Sequence, residues 1–122
     1  MAGTRIESLL SEQLNAVSFV MDYVEFHFNG PVLRALSNPA LDYQGHRVRF
    51  PDAGSRDALC TLIGSEVTSI DVRKHDRIEL RTKQGHILTI PLDGASYRGA
   101  EAAHFIPADA SGQLQVADMM IW

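Results

Sequence analysis

The chain has 122 residues, of which 45% are hydrophobic and 21% are charged, and its formal net charge is −4. This length predicts one domain, residues 1–122, with a core large enough to need no disulfides. The single cysteine, Cys60, excludes an intramolecular disulfide and a zinc site built from cysteines. A negative chain is a poor match to a polyphosphate, so we do not expect a nucleic-acid partner.

The sequence contains no apolar run of membrane-spanning length, and its start, MAGTRIESLL, lacks the pattern of a signal peptide. We therefore expect a cytoplasmic protein without a membrane partner.

Two parts of the chain, residues 4–36 and 57–91, share one order of apolar and turn residues. Val24 aligns with Ile78, and Glu25 aligns with Glu79, if one additional residue is allowed in the turn before them. Further aligned apolar pairs are Ile6 with Leu59, Leu9 with Leu62, Leu10 with Ile63, and Val17 with Ile70. The pattern predicts an internal repeat of one folding unit.

Each copy begins with the spacing of a short helix. In the first copy, Thr4 and Glu7 have capping-box spacing, and the apolar positions Ile6, Leu9 and Leu10 follow at i, i+3 and i+4. The corresponding apolar stripe of the second copy is Leu59, Leu62 and Ile63, and either Ser55 or Asp57 is the expected cap.

Three strands are predicted to follow each helix. Strict alternation marks the middle strand, with apolar positions at Val24, Phe26 and Phe28 in the first copy and at Ile78 and Leu80 in the second. We therefore predict an α+β fold made of duplicated helix-plus-three-stranded-meander units. Its sheet would be mainly antiparallel and could form a partly closed barrel.

Three further elements lie outside the two copies. The segment between the copies is rich in turn residues and has one predicted short strand, Arg47 to Phe50. Ala100 to Phe105 is predicted as a helical turn, and Leu114 to Trp122 as a final strand covered on both sides.

The outer face of the first meander contains the first candidate site, formed by Tyr23, Glu25 and His27. In an extended strand these side chains lie opposite Val24 and Phe26. One interpretation is a solvated sheet face on which Glu25 pairs with a base of the neighbouring strand. The other is a small-ligand or metal pocket, because a carboxylate and an imidazole could share a metal or move a proton.

The second candidate is a cationic cluster in the second copy, formed by Arg73, Lys74, Arg77 and Arg81. It is either a solvated strand face or an anion-binding site. No HExxH, P-loop, dinucleotide fingerprint or GxSxG motif occurs in the sequence, so we expect no catalytic residues, no metal site and no cofactor.

The segments DYVEFHFNGP from Asp22, LCTLIG from Leu59 and GAEAAHF from Gly99 resemble a group of small uncharacterised bacterial α+β proteins. That resemblance implies no active-site residues, and by analogy it admits an immunity-type protein that neutralises a toxin partner. From the residues themselves, we expect a non-catalytic protein-interaction module or a homodimeric binding module, which self-associates or binds a protein partner.

Overall fold

The computed structural model describes residues 5–122, which form two antiparallel sheets. The strands are β1 (Ala16–Val20), β2 (Tyr23–His27), β3 (Val32–Ala35), β4 (Ala40–Tyr43), β5 (His46–Arg49), β6 (Val67–Arg73), β7 (Arg77–Thr82), β8 (Ile87–Pro91), β9 (Ala103–Ile106) and β10 (Met120–Ile121). The helical elements are α1 (Ser55–Cys60) and 3-10 helices at Ile6–Leu9, Gly94–Ser96 and Val116–Asp118. No helix in this part of the chain is long and apolar enough to cross a membrane.

The two halves of the chain exchange strands. The first sheet has the order β1-β2-β3-β9-β10, and the second has the order β5-β4-β8-β7-β6. After β3 the chain crosses to the second sheet and pairs β4 with β8, and after β8 it crosses back and pairs β9 with β3. An isolated antiparallel bridge between Gln13 and Glu66 joins the segments that precede β1 and β6. Each sheet is thus completed by strands from the other half.

The inner faces of the two sheets form one hydrophobic core. Val24 and Phe26 of β2 are buried, and so are Ile78 and Leu80 of β7. All four side chains belong to one buried cluster, to which β9 adds Phe105. Because side chains alternate along a strand, the intervening residues of β2 and β7 lie on the outer faces. The alternation predicted for these two middle strands is confirmed.

The predicted α+β class is wrong, because strands dominate the fold and the only α-helix of residues 5–122 is the six-residue α1. The first apolar stripe forms a four-residue 3-10 helix, in which residues i and i+3 lie above each other. Ile6 and Leu9 are therefore buried together, whereas Leu10 is exposed. Thr4, the residue proposed to cap this helix, lies outside the described residues. Duplicated helix-plus-meander units do not describe this architecture.

The expected partly closed barrel is also wrong. The strands form two separate sheets, and each of the outermost strands β1, β10, β5 and β6 pairs with a single neighbour. The segment predicted as a helical turn, Ala100 to Phe105, instead leads into strand β9 from Ala103 onward, and β9 is buried at every position. The predicted last strand shrinks to the two residues of β10.

The connection from β9 to β10 is ordered by one carboxylate. Asp109 Oδ1 accepts hydrogen bonds from the backbone N–H of Ser111 (2.9 Å), from the Ser111 hydroxyl (2.6 Å) and from the backbone N–H of Gln113 (3.0 Å). The hydrogen bond from the Ser111 side chain is the main cause that holds the pKa of Asp109 below its ordinary value of 3.8. The ionised form therefore stabilises this loop.

Truncation in the core tests the packing of the two sheets. Ile78→Ala removes a fully buried side chain and should lower the free energy of unfolding by about 2–5 kcal/mol. Urea denaturation followed by circular dichroism measures this loss. Met21→Ala is the control, because Met21 is 92% exposed and its truncation should change the stability by less than about 0.5 kcal/mol. Equal effects of the two substitutions would contradict the shared core.

The lowered pKa of Asp109 predicts a pH-dependent contribution to stability. A depressed carboxyl pKa in the folded state gives stabilisation that is present above the unfolded value of 3.8 and is lost as the pH falls through the folded pKa. Wild type should therefore melt at a higher temperature than Asp109→Asn at about pH 7 and about pH 5, and this difference should shrink at about pH 3. Asp52→Asn, at an exposed aspartate, is the control. A difference that stays constant down to about pH 3 would contradict the assignment.

Candidate functional site

The predicted residues Tyr23, Glu25 and His27 lie together on the outer face of β2, opposite the buried Val24 and Phe26. None of the three is fully exposed. The Arg34 guanidinium lies 5.8 Å from the centre of the Tyr23 ring. This contact suits a cation–π interaction and shields one side of the face.

A row of polar side chains crosses the first sheet through Glu25. Residue pairing places Ser18, Glu25, Arg34 and His104 directly beside one another on β1, β2, β3 and β9. Arg34 Nε donates to Glu25 Oε2 at 2.8 Å, and Arg34 Nη1 lies 3.1 Å from His104 Nδ1. His104 Nε2 lies 2.6 Å from Glu101 Oε1. We refer to Glu25, Arg34, His104 and Glu101 as the first-sheet network.

The first-sheet network determines the tautomer of His104. Because a guanidinium has no acceptor, Nδ1 must accept the hydrogen bond from Arg34, which leaves the proton on Nε2 to be donated to Glu101. The two carboxylates and the guanidinium thus satisfy one another and both nitrogens of the imidazole. A group whose hydrogen bonds are already made in this way is suited to joining strands.

His27 and Ser18 do not form a nucleophile–base–acid arrangement with Glu25. His27 Nε2 lies 3.1 Å from Ser18 Oγ and 3.5 Å from Glu25 Oε1, so the hydroxyl and the carboxylate approach the same ring nitrogen. In a triad the acid orients the imidazole through the other nitrogen. The geometry therefore gives Ser18 no oriented base.

Of the residues predicted to form a pocket, Tyr23 alone lines a cavity. A cavity of about 280 Å³ contacts Tyr23 and Glu101, but Glu25 and His27 do not line it. Within residues 5–122, no group of three His, Cys, Asp or Glu side chains has the geometry to hold a metal ion. A ligand at all three predicted residues stays a prediction.

The predicted cationic residues Arg73, Lys74, Arg77 and Arg81 lie on β6, on β7 and in the turn between them. Arg73 Nε donates to Asp71 at 3.1 Å, and Arg81 donates to Glu79 at 3.2 Å. Arg77 contacts both Asp76 and Glu79. The hydrogen bond to Glu79 is the main cause that raises the pKa of Arg77 above its ordinary value. All three guanidinium groups thus have carboxylate neighbours.

A larger cationic feature lies on the outer face of the second sheet. It is a groove of about 500 Å³ between that face and the loop of residues 93–98. Its charged side chains are Arg47, Arg49, Arg77, Arg98, Asp76 and Asp93. We call it the arginine groove. Only Arg77 belongs to the predicted cationic cluster.

The arginines of this groove differ in their partners. Arg47 donates to Asp42 at 2.8 Å, and Arg98 donates to the side chain of Asp22 at 2.9 Å and to its backbone carbonyl. Arg49 is exposed, and within residues 5–122 it makes no side-chain hydrogen bond or ion pair. Arg49 is therefore the groove cation that is available to an external anion.

Sequence reasoning missed this groove because its arginines come from distant segments. Arg47 and Arg49 lie on β5, Arg77 on β7, and Arg98 in the connection from β8 to β9. A usable local signal was the i, i+2 spacing of Arg47 and Arg49 in the predicted short strand, which places both on one face.

Comparison of the chain with protein-family models, with curated proteins and with solved structures gave no match.

The first-sheet network predicts an energetic coupling across β2 and β3. Arg34→Ala should lower the free energy of unfolding by about 1–3 kcal/mol, because it leaves the half-buried Glu25 carboxylate without its charged donor. Glu25→Gln combined with Arg34→Ala should cost less than the sum of the two single changes, as urea denaturation would measure. Arg5→Ala is the control, because the exposed pair of Arg5 and Glu7 should contribute less than about 0.5 kcal/mol. Strict additivity would contradict the coupling.

Proposed function

We propose that the protein is a non-catalytic protein-interaction module that holds an acidic segment of a partner in the arginine groove. The observation that carries this proposal is Arg49, which has no side-chain partner within residues 5–122 and lies beside three further arginines in a groove of about 500 Å³. The groove has four arginines against two aspartates, whereas the whole chain has a net charge of −4. A local positive field on an acidic protein favours an anionic partner at that place.

The lining of the groove favours a charged protein segment over an apolar small molecule. Small-molecule pockets of this size are lined mainly by apolar and aromatic side chains. Here arginines and aspartates dominate, with Tyr97 as the one aromatic side chain. Arginine can bind a carboxylate through two parallel hydrogen bonds, which gives direction as well as charge.

The first-sheet network supports a non-catalytic role for the outer face of the first sheet. Its carboxylates and His104 already have hydrogen-bond partners, and Ser18 has no oriented base. An immunity-type role would be one case of such a protein interaction, and it stays a prediction. So does a cytoplasmic location, to which the free, exposed Cys60 is suited.

Self-association is a second candidate function, and one observation favours it. Leu10 and Ile63 occupy aligned positions in the sequence and are 45% and 47% exposed. Exposed apolar side chains at equivalent places could be covered by a second copy. Light scattering tests this candidate, and a monomer at high protein concentration would contradict it.

Charge reversal in the groove tests the leading proposal. The probe is a fluorescent peptide of about ten residues that alternates threonine and glutamate, and fluorescence anisotropy measures its affinity. Arg49→Glu should weaken binding at least about tenfold, equivalent to about 1.4 kcal/mol. Binding should also weaken as salt rises from about 50 to about 500 mM, because the interaction is electrostatic.

Arg73→Glu is the matched control, because it makes the same change of charge on the second sheet outside the groove. It should weaken binding by less than about twofold. Equal losses in the two variants, no binding of the peptide, or tighter binding of duplex DNA than of the peptide would each contradict the proposal.

A further inference from the structure

Strand β5 is an edge strand with an open side. It pairs with β4 alone, and the two are joined by a two-residue turn at Gln44 and Gly45, which have φ angles of +51° and +78°. Such a turn makes the residues that flank it, Tyr43 and His46, a hydrogen-bonded pair. Hydrogen-bonded pairs recur at every second residue, so the backbone N–H and carbonyl groups of Val48 also face β4.

The same alternation directs the backbone N–H and carbonyl groups of Arg47 and Arg49 away from β4, toward the open side of β5. The backbone N–H of Phe50 donates to Pro39 at 2.9 Å, which continues the same alternation past the end of β5. The Arg49 carbonyl accepts a hydrogen bond from the backbone N–H of Asp52 at 2.8 Å, within the following turn. Among the described residues, the N–H and carbonyl of Arg47 and the N–H of Arg49 have no backbone partner.

Open space lies beside these groups of β5. Helix α1 contacts β1, the 3-10 helix at Ile6–Leu9 contacts β6, and β10 has only two residues. α1 also reaches β5, but a cavity of about 380 Å³ remains beside it, lined by Arg47, Val48, Arg49, Asp52 and Ala53. An added strand would find both free hydrogen-bonding groups and room there.

The side chains of this edge determine what can pair with it. Arg47 and Arg49 lie on the outer face of the second sheet, where both line the arginine groove. A second copy of β5 would bring arginines against arginines, which is unfavourable between neighbouring strands. An extended segment with acidic side chains at every second position would instead place carboxylates beside both arginines.

We propose that β5 is a strand-addition site, at which an extended acidic segment of a partner protein pairs with the backbone of Arg47 and Arg49. This proposal rests on the proposed function and gives it a binding mode. The added strand directs its acidic side chains over the arginine groove. The added strand runs antiparallel to β5, as the neighbouring strands of this sheet do. In that arrangement, acidic residues that stand opposite Arg47 and Arg49 turn their own N–H and carbonyl groups toward β5.

The test uses two analogues of the threonine–glutamate peptide. In one, a central glutamate is N-methylated on its backbone, and in the other, the neighbouring threonine is. Strand addition requires the first analogue to bind at least about fivefold more weakly than the parent peptide, because it loses a hydrogen bond to β5 and places a methyl group there. The second analogue should bind like the parent, because its methyl group points away from β5.

A pair of protein variants makes the same comparison from the other side. Arg47→Ala removes the charge and keeps the backbone N–H, whereas Arg47→Pro removes both, and an edge strand accepts proline where its N–H faces outward. Arg47→Pro should bind the peptide at least about fivefold more weakly than Arg47→Ala. If circular dichroism shows that Arg47→Pro does not fold, the binding of the two peptide analogues to the wild-type protein provides the test of strand addition.

The outcomes separate the two proposals. Equal binding of the two analogues, or equal binding of folded Arg47→Ala and Arg47→Pro, overturns strand addition. If Arg49→Glu still abolishes salt-sensitive binding in that case, the arginine groove remains the site and only the binding mode is wrong. Absence of any binding of the parent peptide overturns both.

Discussion

The apolar faces of the two sheets can leave water only by packing against each other. Each sheet has one face of alternating apolar side chains, and neither half of residues 5–122 has enough helix to cover such a face. Burial of each large side chain contributes about 1.5–3 kcal/mol, so pairing of the faces dominates the stability. The exchange of β4 and β9 makes this pairing hard to avoid, because each sheet is completed only when the other half of the chain is in place.

Once the inner faces are buried together, the outer faces are free to differ. Glu25 and Glu79 have the same place on the middle strands, and both side chains are 16% exposed. Glu25 binds Arg34 of the adjacent strand, and its network continues to β9 through His104. Glu79 instead binds Arg77 and Arg81 of its own strand. On the outer face of the first sheet, ion pairs and hydrogen bonds therefore connect neighbouring strands. On the outer face of the second sheet, the charges of Glu79 pair within one strand, and the arginine groove lies beside them.

The elements that sequence reasoning predicted correctly depend on neighbours along the chain. Strict alternation identified β2 and β7 and the direction of their side chains. One of the two interpretations of Glu25 paired its carboxylate with a base of the neighbouring strand, and Arg34 of β3 is such a base. The short strand β5 was predicted within one residue. A two-residue period is visible in any window of about five residues, which explains these successes.

The elements that it missed depend on distant parts of the chain. β9 is buried at all four positions and shows no alternation, so the alanines at and before its start resembled a helical turn. β4 follows Asn38-Pro39 and is only four residues long, which made it look like part of a loop. The helical spacing of Ile6, Leu9 and Leu10 did not suffice to predict an α-helix. A single 3-10 turn, Ile6–Leu9, already buries Ile6 and Leu9. The partner His104 has no local signal, and the arginine groove has only the spacing of Arg47 and Arg49, because both features arise from the crossing of strands between sheets.

The arginines of β5 can serve two purposes at once. An unprotected edge invites pairing with other chains, and charged side chains on such an edge are a common defence against association of identical copies. Under the proposed strand addition, the charges that repel a second copy would attract an acidic strand, so one pair of residues would both reject a second copy and select a partner. Specificity is a difference between affinities, and here one arrangement of charge changes both affinities in the useful direction. The strand exchange makes this possible, because it places β5 at the edge of the second sheet, next to the face on which Arg77 lies.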